Sequence, residues 1–218
     1  MILSVDTTHE FGSIALAGGD AVLEEVPLHS PDGFGHVLFG HLQRILDRHR
    51  VDLKQIDCFA AASGPGSFTG VRVGLACVKG LAEAVGKPVV GVSNLRAIAE
   101  FGTEPLRAVL LDARRGEIYG AVYTSAGELV QPESVQTFAT WVKGLPAAVE
   151  FVSPDFGPFR ELLPGKLTEA PRSLAGAIAR IARKLHSEGF SMDPAGLDAN
   201  YVRRCAAELL WKDETKPV

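Results

Sequence analysis

Two aspartates stand at matching points of two similar stretches: Asp6 ends ILSVD and Asp112 follows AVLL in AVLLDARRGEIYGAVY. A carboxylate at a strand end can hold magnesium against nucleotide phosphates, or it can close a turn by accepting backbone N–H groups. The local sequence admits both. Asp112 is followed by Arg114, Arg115 and Glu117, a charged cluster able to meet a nucleotide, a partner protein or solvent. With Asp6, Thr7, Asp112, Arg115 and Glu117 as the candidate nucleotide-proximal residues, the histidines offer less. There are six, of which His29, His36 and His41 lie closest together. His36 and His41 are five apart and fall off a common helical face, and no HxxxH or HExxH pair occurs, so no metal site is expected. A Ser-His-Asp hydrolase would need a GxSxG elbow, which is lacking, and no catalytic residue is assigned.

The densest local signal is SGPGSFTGVRVG, Ser63 to Gly74. A phosphate-binding P-loop needs GxxxxGK followed by Ser or Thr, and no lysine stands at that spacing. A dinucleotide fingerprint needs GxGxxG, which Gly64, Gly66 and Gly70 miss by one residue. What survives is a turn after a strand, with Ser67 or Thr69 capping the next helix and only a weakly specified anion site at its start. Along that helix Gly70, Gly74, Cys77, Leu81 and Ala84 recur at steps of three and four and form a slim face. Such a face lets another element approach closely, either the sheet of the same chain or an intermolecular seam.

Around these residues, ILSVD, GSIALA (Gly12 to Ala17) and AVLEEVPL (Ala21 to Leu28) read as a three-stranded meander. GHVLFGHLQRILDRH places Val37, Leu38, His41, Leu42, Ile45 and Leu46 on one helical face. IDCFAAAS and PVVGVS are buried strands that alternate with helices, which makes the chain an α/β protein. AVLLDARRGEIYGAVY repeats the first hairpin, with Asp112 matching Asp6 and Gly116 matching Gly12, so two related lobes are expected, residues 1–102 and 103–218. A third strand in GELVQPESVQ, a short helix near Thr140 to Lys143 and the apolar AVEFVS follow in the second. SLAGAIARIARKLHSEG reads as a helix capped by Ser173, stopped by Gly189 and packed on the second lobe.

The totals narrow the function class. The 218 residues are 46% hydrophobic and carry a net charge of −4, without the positive surplus that grips a phosphate backbone unaided. Cys58, Cys77 and Cys205 are odd in number and far apart, which fits buried thiols in a reducing cytosol. MILSVD begins a strand, with no signal peptide or membrane helix in view, so a cytoplasmic location is expected.

These same residues carry a resemblance. ILSVDTT with SIALA, the block SGPGSFTGVRVGLACVKGLA, PVVGVSNL, DARRGEIYGAVY and YVRRCAAELLWK are similar to the TsaB family, also called YeaZ, in the making of threonylcarbamoyladenosine (t6A) in tRNA. The resemblance implies an actin-like, ribonuclease H-like (ASKHA) two-lobed fold with duplicated mixed-sheet lobes. It implies a non-catalytic subunit that binds and supports TsaD, which transfers the threonylcarbamoyl group, with TsaE as a third, ATPase component. It implies a homodimer when TsaD is absent, contact with tRNA through the complex and not alone, and ADP or ATP as the candidate ligand at the junction with TsaD. The expected partner and dimer interface is Val37, Leu38, His41, Leu42 and Ile45 of the first helix with Gly70, Val73, Gly74, Cys77 and Leu81 of the second. The rival reading is an enzyme, a small kinase of this fold or a metallopeptidase-like protein. PDGFGHVLFGHL departs from the plainer entry to the first helix in many relatives.

Overall fold

Alternation of side chains along each strand decides the layering. In β1 (Ile2–Asp6), Leu3 and Val5 enter one apolar cluster and Ile2 another on the opposite face. The computed structural model describes residues 1–200 and Val202. Cys205 and the rest of YVRRCAAELLWKDETKPV apart from Val202 lie outside the described residues. β1 pairs with β2 (Phe11–Gly18), then β3 (Ala21–His29), on one side and with β4 (Cys58–Gly64), then β5 (Val89–Ser93), on the other, giving the order β3-β2-β1-β4-β5. The second sheet holds β6 (Leu106–Arg114), β7 (Glu117–Thr124), β8 (Leu129–Thr137), β9 (Glu150–Ser153) and β10 (Leu167–Glu169) in the order β10-β9-β6-β7-β8. Read from its other edge, this is the same topology. The duplicated, mixed five-stranded sheets form the ribonuclease H-like (ASKHA) two-lobed fold.

Among the described residues, five α-helices complete the layers. α1 (Leu38–His49) and α2 (Phe68–Val85) cover one face of the first sheet through Leu38, Leu42, Ile45, Val71, Leu75 and Val78. α1 forms because its apolar residues recur at steps of three and four, and Arg48 and His49 meet the negative end of its dipole. The same two side chains bind Glu24 of β3 at 2.5 and 2.9 Å, and although burial opposes it, these bonds from His49 and Arg48 hold the Glu24 carboxyl below its ordinary range. α4 (Phe138–Lys143) covers the outer face of the second sheet with Phe138 and Trp141.

Between the sheets lie α3 (Asn94–Ala99) and α5 (Ala175–Ser187), in a continuous apolar cluster that takes Ala60, Val90, Val109, Ala121 and Val152 from the two sheets. The expectation that the SLAGAIARIARKLHSEG helix packs on the second lobe is corrected: α5 lies across the face of the first sheet. Ser4 Oγ donates to Ala175 O at 2.7 Å, 171 residues away. Ser173 is not its cap either. Leu174 N and Ala175 N donate to Ser13 Oγ at 3.1 and 2.9 Å, and Gly176 N donates to Glu25 Oε1 at 2.9 Å. The first sheet therefore satisfies the open amides that the helix start leaves.

Gly12 and Gly116 are not equivalent. Gly116 occupies the β6–β7 turn at φ +75°, whereas Gly12 is a strand residue whose missing side chain leaves room for Asp6 O and the Phe34 ring.

Candidate functional site

The end of β1 meets the start of α2, and the glycines of SGPGSFTGVRVG are what let them touch. A Cβ on Gly66 would stand 2.6 Å from Thr8 O, one on Gly70 2.1 Å from Thr7 O, and one on Gly74 2.6 Å from Thr7 Oγ1. Thr7 Oγ1 donates to Gly70 O at 2.7 Å, and Ser67 N donates to Thr8 O at 2.7 Å. Ser67 also caps α2, accepting from Gly70 N at 3.3 Å. The glycine part of the slim face, Gly70 and Gly74, is thus filled inside the chain by the Thr7-Thr8 segment, while Leu81 is half-buried and Ala84 exposed. Gly70→Ala is expected to destabilise by about 3 kcal/mol through overpacking against backbone, a fall of roughly 6–12 °C in Tm. Gly80→Ala, whose Cβ would meet nothing within 4 Å, is expected to raise stability by about 0.5–1 kcal/mol through helix propensity. Thermal unfolding of both variants checks the contrast.

Asp6 is buried and closes a turn. Its Oδ1 accepts from Thr8 N at 2.9 Å and from Thr8 Oγ1 at 2.7 Å. Thr8 Oγ1 in turn accepts from Asn94 Nδ2 at 2.7 Å, and Asn94 Oδ1 accepts from Gly64 N at 3.1 Å. Burial pushes the Asp6 carboxyl above its ordinary range, against the opposing hydrogen bonds from Thr8 and Asn94. The relay ties β1, β4 and the start of α3 into one polar knot. Asp112 makes the matching turn, its Oδ1 accepting from Arg114 N at 2.7 Å. Here the knot is missing: Asp112 pairs with Arg114 Nη1 at 3.4 Å on an exposed hairpin whose Arg114 and Arg115 adopt φ +68° and +58°. Of the candidate nucleotide-proximal residues, Asp6 and Thr7 are enclosed at the end of β1, while Asp112, Arg115 and Glu117 border the β6–β7 turn. Among the described residues no three His, Cys, Asp or Glu side chains converge as metal ligands, and no helix is long and apolar enough to cross a membrane.

The expected interface residues divide in two. Leu38, Leu42, Ile45, Gly74 and Cys77 turn inward and are buried in the chain's own core, so the expectation that they line an outer surface is corrected. Burial also pushes the Cys77 thiol up to about 12, as it does the Cys58 thiol. Val37, His41, Gly70, Val73 and Leu81 remain partly exposed. Burial lowers the pKa of His41, helped by Arg44 and Arg48.

Reading from the residues passed over what stands outside them. Phe39 is 58% exposed and Phe68 57%, with the Arg72 guanidinium 3.2 Å above the Phe68 ring. β3 and β4 both run parallel to β1, so α1 and α2, each returning against that direction, begin at the same end of the sheet. Both phenylalanines sit in those first turns. Ala76, Gly80 and Ala84 continue the exposed side of α2 with small side chains. The signal for Phe39 was its phase: it falls between Leu38 and Leu42, off the buried stripe.

Comparison with known proteins matches this chain, over residues 27–201, to the family model "TsaD: tRNA N6-adenosine threonylcarbamoyltransferase". The tRNA threonylcarbamoyladenosine biosynthesis protein TsaB of Bacillus subtilis is 26% identical, covering 99% of each chain. TsaB of Escherichia coli is 37% identical over 56% of this chain and 54% of its own length. Among solved structures, YeaZ from Pseudomonas aeruginosa superposes with a TM-score of 0.81 at 25% identity, covering 92% of this chain and 98% of that one.

Proposed function

The chain belongs to the TsaB/YeaZ family of tRNA t6A biosynthesis proteins, related to TsaD, and from that premise we propose that it is the non-catalytic subunit that docks on TsaD and supports threonylcarbamoyl transfer, with TsaE as the third component. The observation that carries the reading is the pair of exposed phenylalanines at the shared end of α1 and α2. Large apolar side chains at one edge, flanked by slim residues, favour a protein partner that can lie close. Val37, His41, Gly70, Val73 and Leu81 border that surface, and a second copy of this chain occupies it when TsaD is absent.

The enclosure of Asp6 and Thr7 supports the same reading. Each already has its partners within the chain, so the β1 end is better suited to holding the lobe rigid than to gripping a magnesium nucleotide. Transfer RNA is reached through the complex, in keeping with the net charge of −4. The test is reconstitution of threonylcarbamoyl transfer to tRNA with TsaD and TsaE from the same source. Adding this chain is expected to raise the rate at least tenfold, the size of effect given by about 1.4 kcal/mol of transition-state stabilisation. Full-rate modification without it, or brisk turnover of a substrate by this chain alone, overturns the proposal.

A further inference from the structure

The segment after α5 returns across the first lobe as a strap. Val89 and Met192 exchange backbone hydrogen bonds, both 2.9 Å, which covers the open edge of β5. Lys79 Nζ donates to Ala195 O and Leu197 O at 3.3 and 2.9 Å, and Leu197 is buried in the first-lobe core. The strap then reaches the junction of the lobes, where Asn200 N donates to Ser63 O at 2.7 Å and Asn200 Nδ2 donates to Glu133 Oε2 at 2.5 Å.

Glu133 comes from β8, in the second sheet. Its other oxygen accepts from the hydroxyls of Tyr123, in the same sheet, and Ser93, in the first lobe. Ser93 is also the N-cap of α3, accepting from Leu95 N at 3.1 Å and Arg96 N at 3.5 Å. One half-buried carboxylate thus collects donors from both lobes and from the strap. Burial and the facing Glu133 carboxylate push the Tyr123 phenol well above its ordinary range, which keeps it a donor.

We propose that Glu133 is a latch through which the strap, residues 190–200, and the two lobes are held together, so that release of the strap loosens the lobe junction. Coupling follows from the shared acceptor. Bonds to a charged group polarise one another in a partly dry site, and losing one donor weakens the placement of the carboxylate for the rest. This device does not depend on the proposed partner.

Hydrogen exchange on the full chain tests it, with Asn200→Ala cutting only the strap's side-chain bond and Glu133→Gln removing the charge. Both are expected to speed exchange roughly tenfold, the effect of about one charge-assisted hydrogen bond, at Met192 and Asn200 (Met192 alone in the Asn200→Ala comparison if the new residue's own amide is set aside) and also at Leu95 and Arg96. The amides of Leu3 to Val5 in β1 should hold their rates. If Asn200→Ala alters the strap alone, or if exchange rises uniformly including β1, or if neither variant changes anything, the latch is refuted.

Discussion

Glu150→Ala is expected to cost roughly 3–5 kcal/mol, because several donors would lose a charged acceptor and each one left unsatisfied in a buried site costs about 1–3 kcal/mol. Glu150 opens β9 and is almost fully buried, yet its carboxylate is densely bonded. Oε2 accepts from Thr103 N at 2.6 Å and Glu104 N at 2.9 Å; Oε1 accepts from Thr168 Oγ1 at 2.6 Å and Thr103 Oγ1 at 3.2 Å, with Lys166 Nζ at 3.5 Å. Thr103 and Glu104 lie in the connection between the lobes, and Arg107 braces the same connection by donating to Ala99 O at 2.8 Å and Glu104 O at 3.1 Å. Alanine would leave two backbone N–H groups and two hydroxyls without their acceptor.

The same residue sets an acid dependence. Burial would raise its pKa, but the hydrogen bonds from Glu104, Thr168 and Thr103 outweigh that and lower it from 4.5 to about 2. A carboxyl lowered on folding stabilises the folded chain above its unfolded pKa, and that stabilisation is lost as pH falls from about 4.5 through about 2. The full contribution is roughly 3 kcal/mol at neutral pH. Denaturant unfolding at pH 7 and pH 3 should show a smaller gap between the wild type and Glu150→Gln at the lower pH. An unchanged gap would remove Glu150 from the account of acid stability.

Phe39→Asp and Phe68→Asp are expected to weaken binding to TsaD by about 2–4 kcal/mol each, as central apolar anchors do, or roughly 30- to 1,000-fold in Kd. Both side chains are more than half exposed, so each variant should keep the wild-type Tm within a few degrees. Phe68 carries the larger structural risk because Arg72 stacks on it and donates to Phe68 O at 3.2 Å. Titration calorimetry with TsaD, beside thermal unfolding of the free variants, separates docking from folding. Wild-type affinity in both variants would move the docking surface elsewhere.

The first lobe was legible because its pattern is local. Period two in ILSVD, steps of three and four in LFGHLQRIL and the capping serine before FTGVRVG each announce an element within a few residues. The slim face of α2 was legible only as a face. A stripe of glycine suits a partner helix and a Thr7-Thr8 segment equally, and what fills it lies 63 positions upstream of Gly70. α5 shows the same limit, since Ala175, Gly176, Ala177, Ile178, Ala179, Ile181 and Ala182 are all buried and nothing in so small-sided a helix says which sheet it covers. Its neighbours Ser13 and Glu25, which cap it, have no local signature. α3 went unread because six residues are too few for periodicity. Glu150 did leave a trace, a single charge in the apolar run AVEFVS, whereas nothing around Glu133 distinguishes it from a surface glutamate.

The placement of α5 has a consequence for synthesis. As the ribosome delivers the chain from its N-terminus, the first sheet emerges with one side still bare, and it stays bare until α5, Ala175–Ser187, has been made. Its two halves cannot mature in order, the first finished before the second starts. The growing polypeptide must carry an incomplete greasy surface past the whole of the second sheet, until the helix that shields it follows.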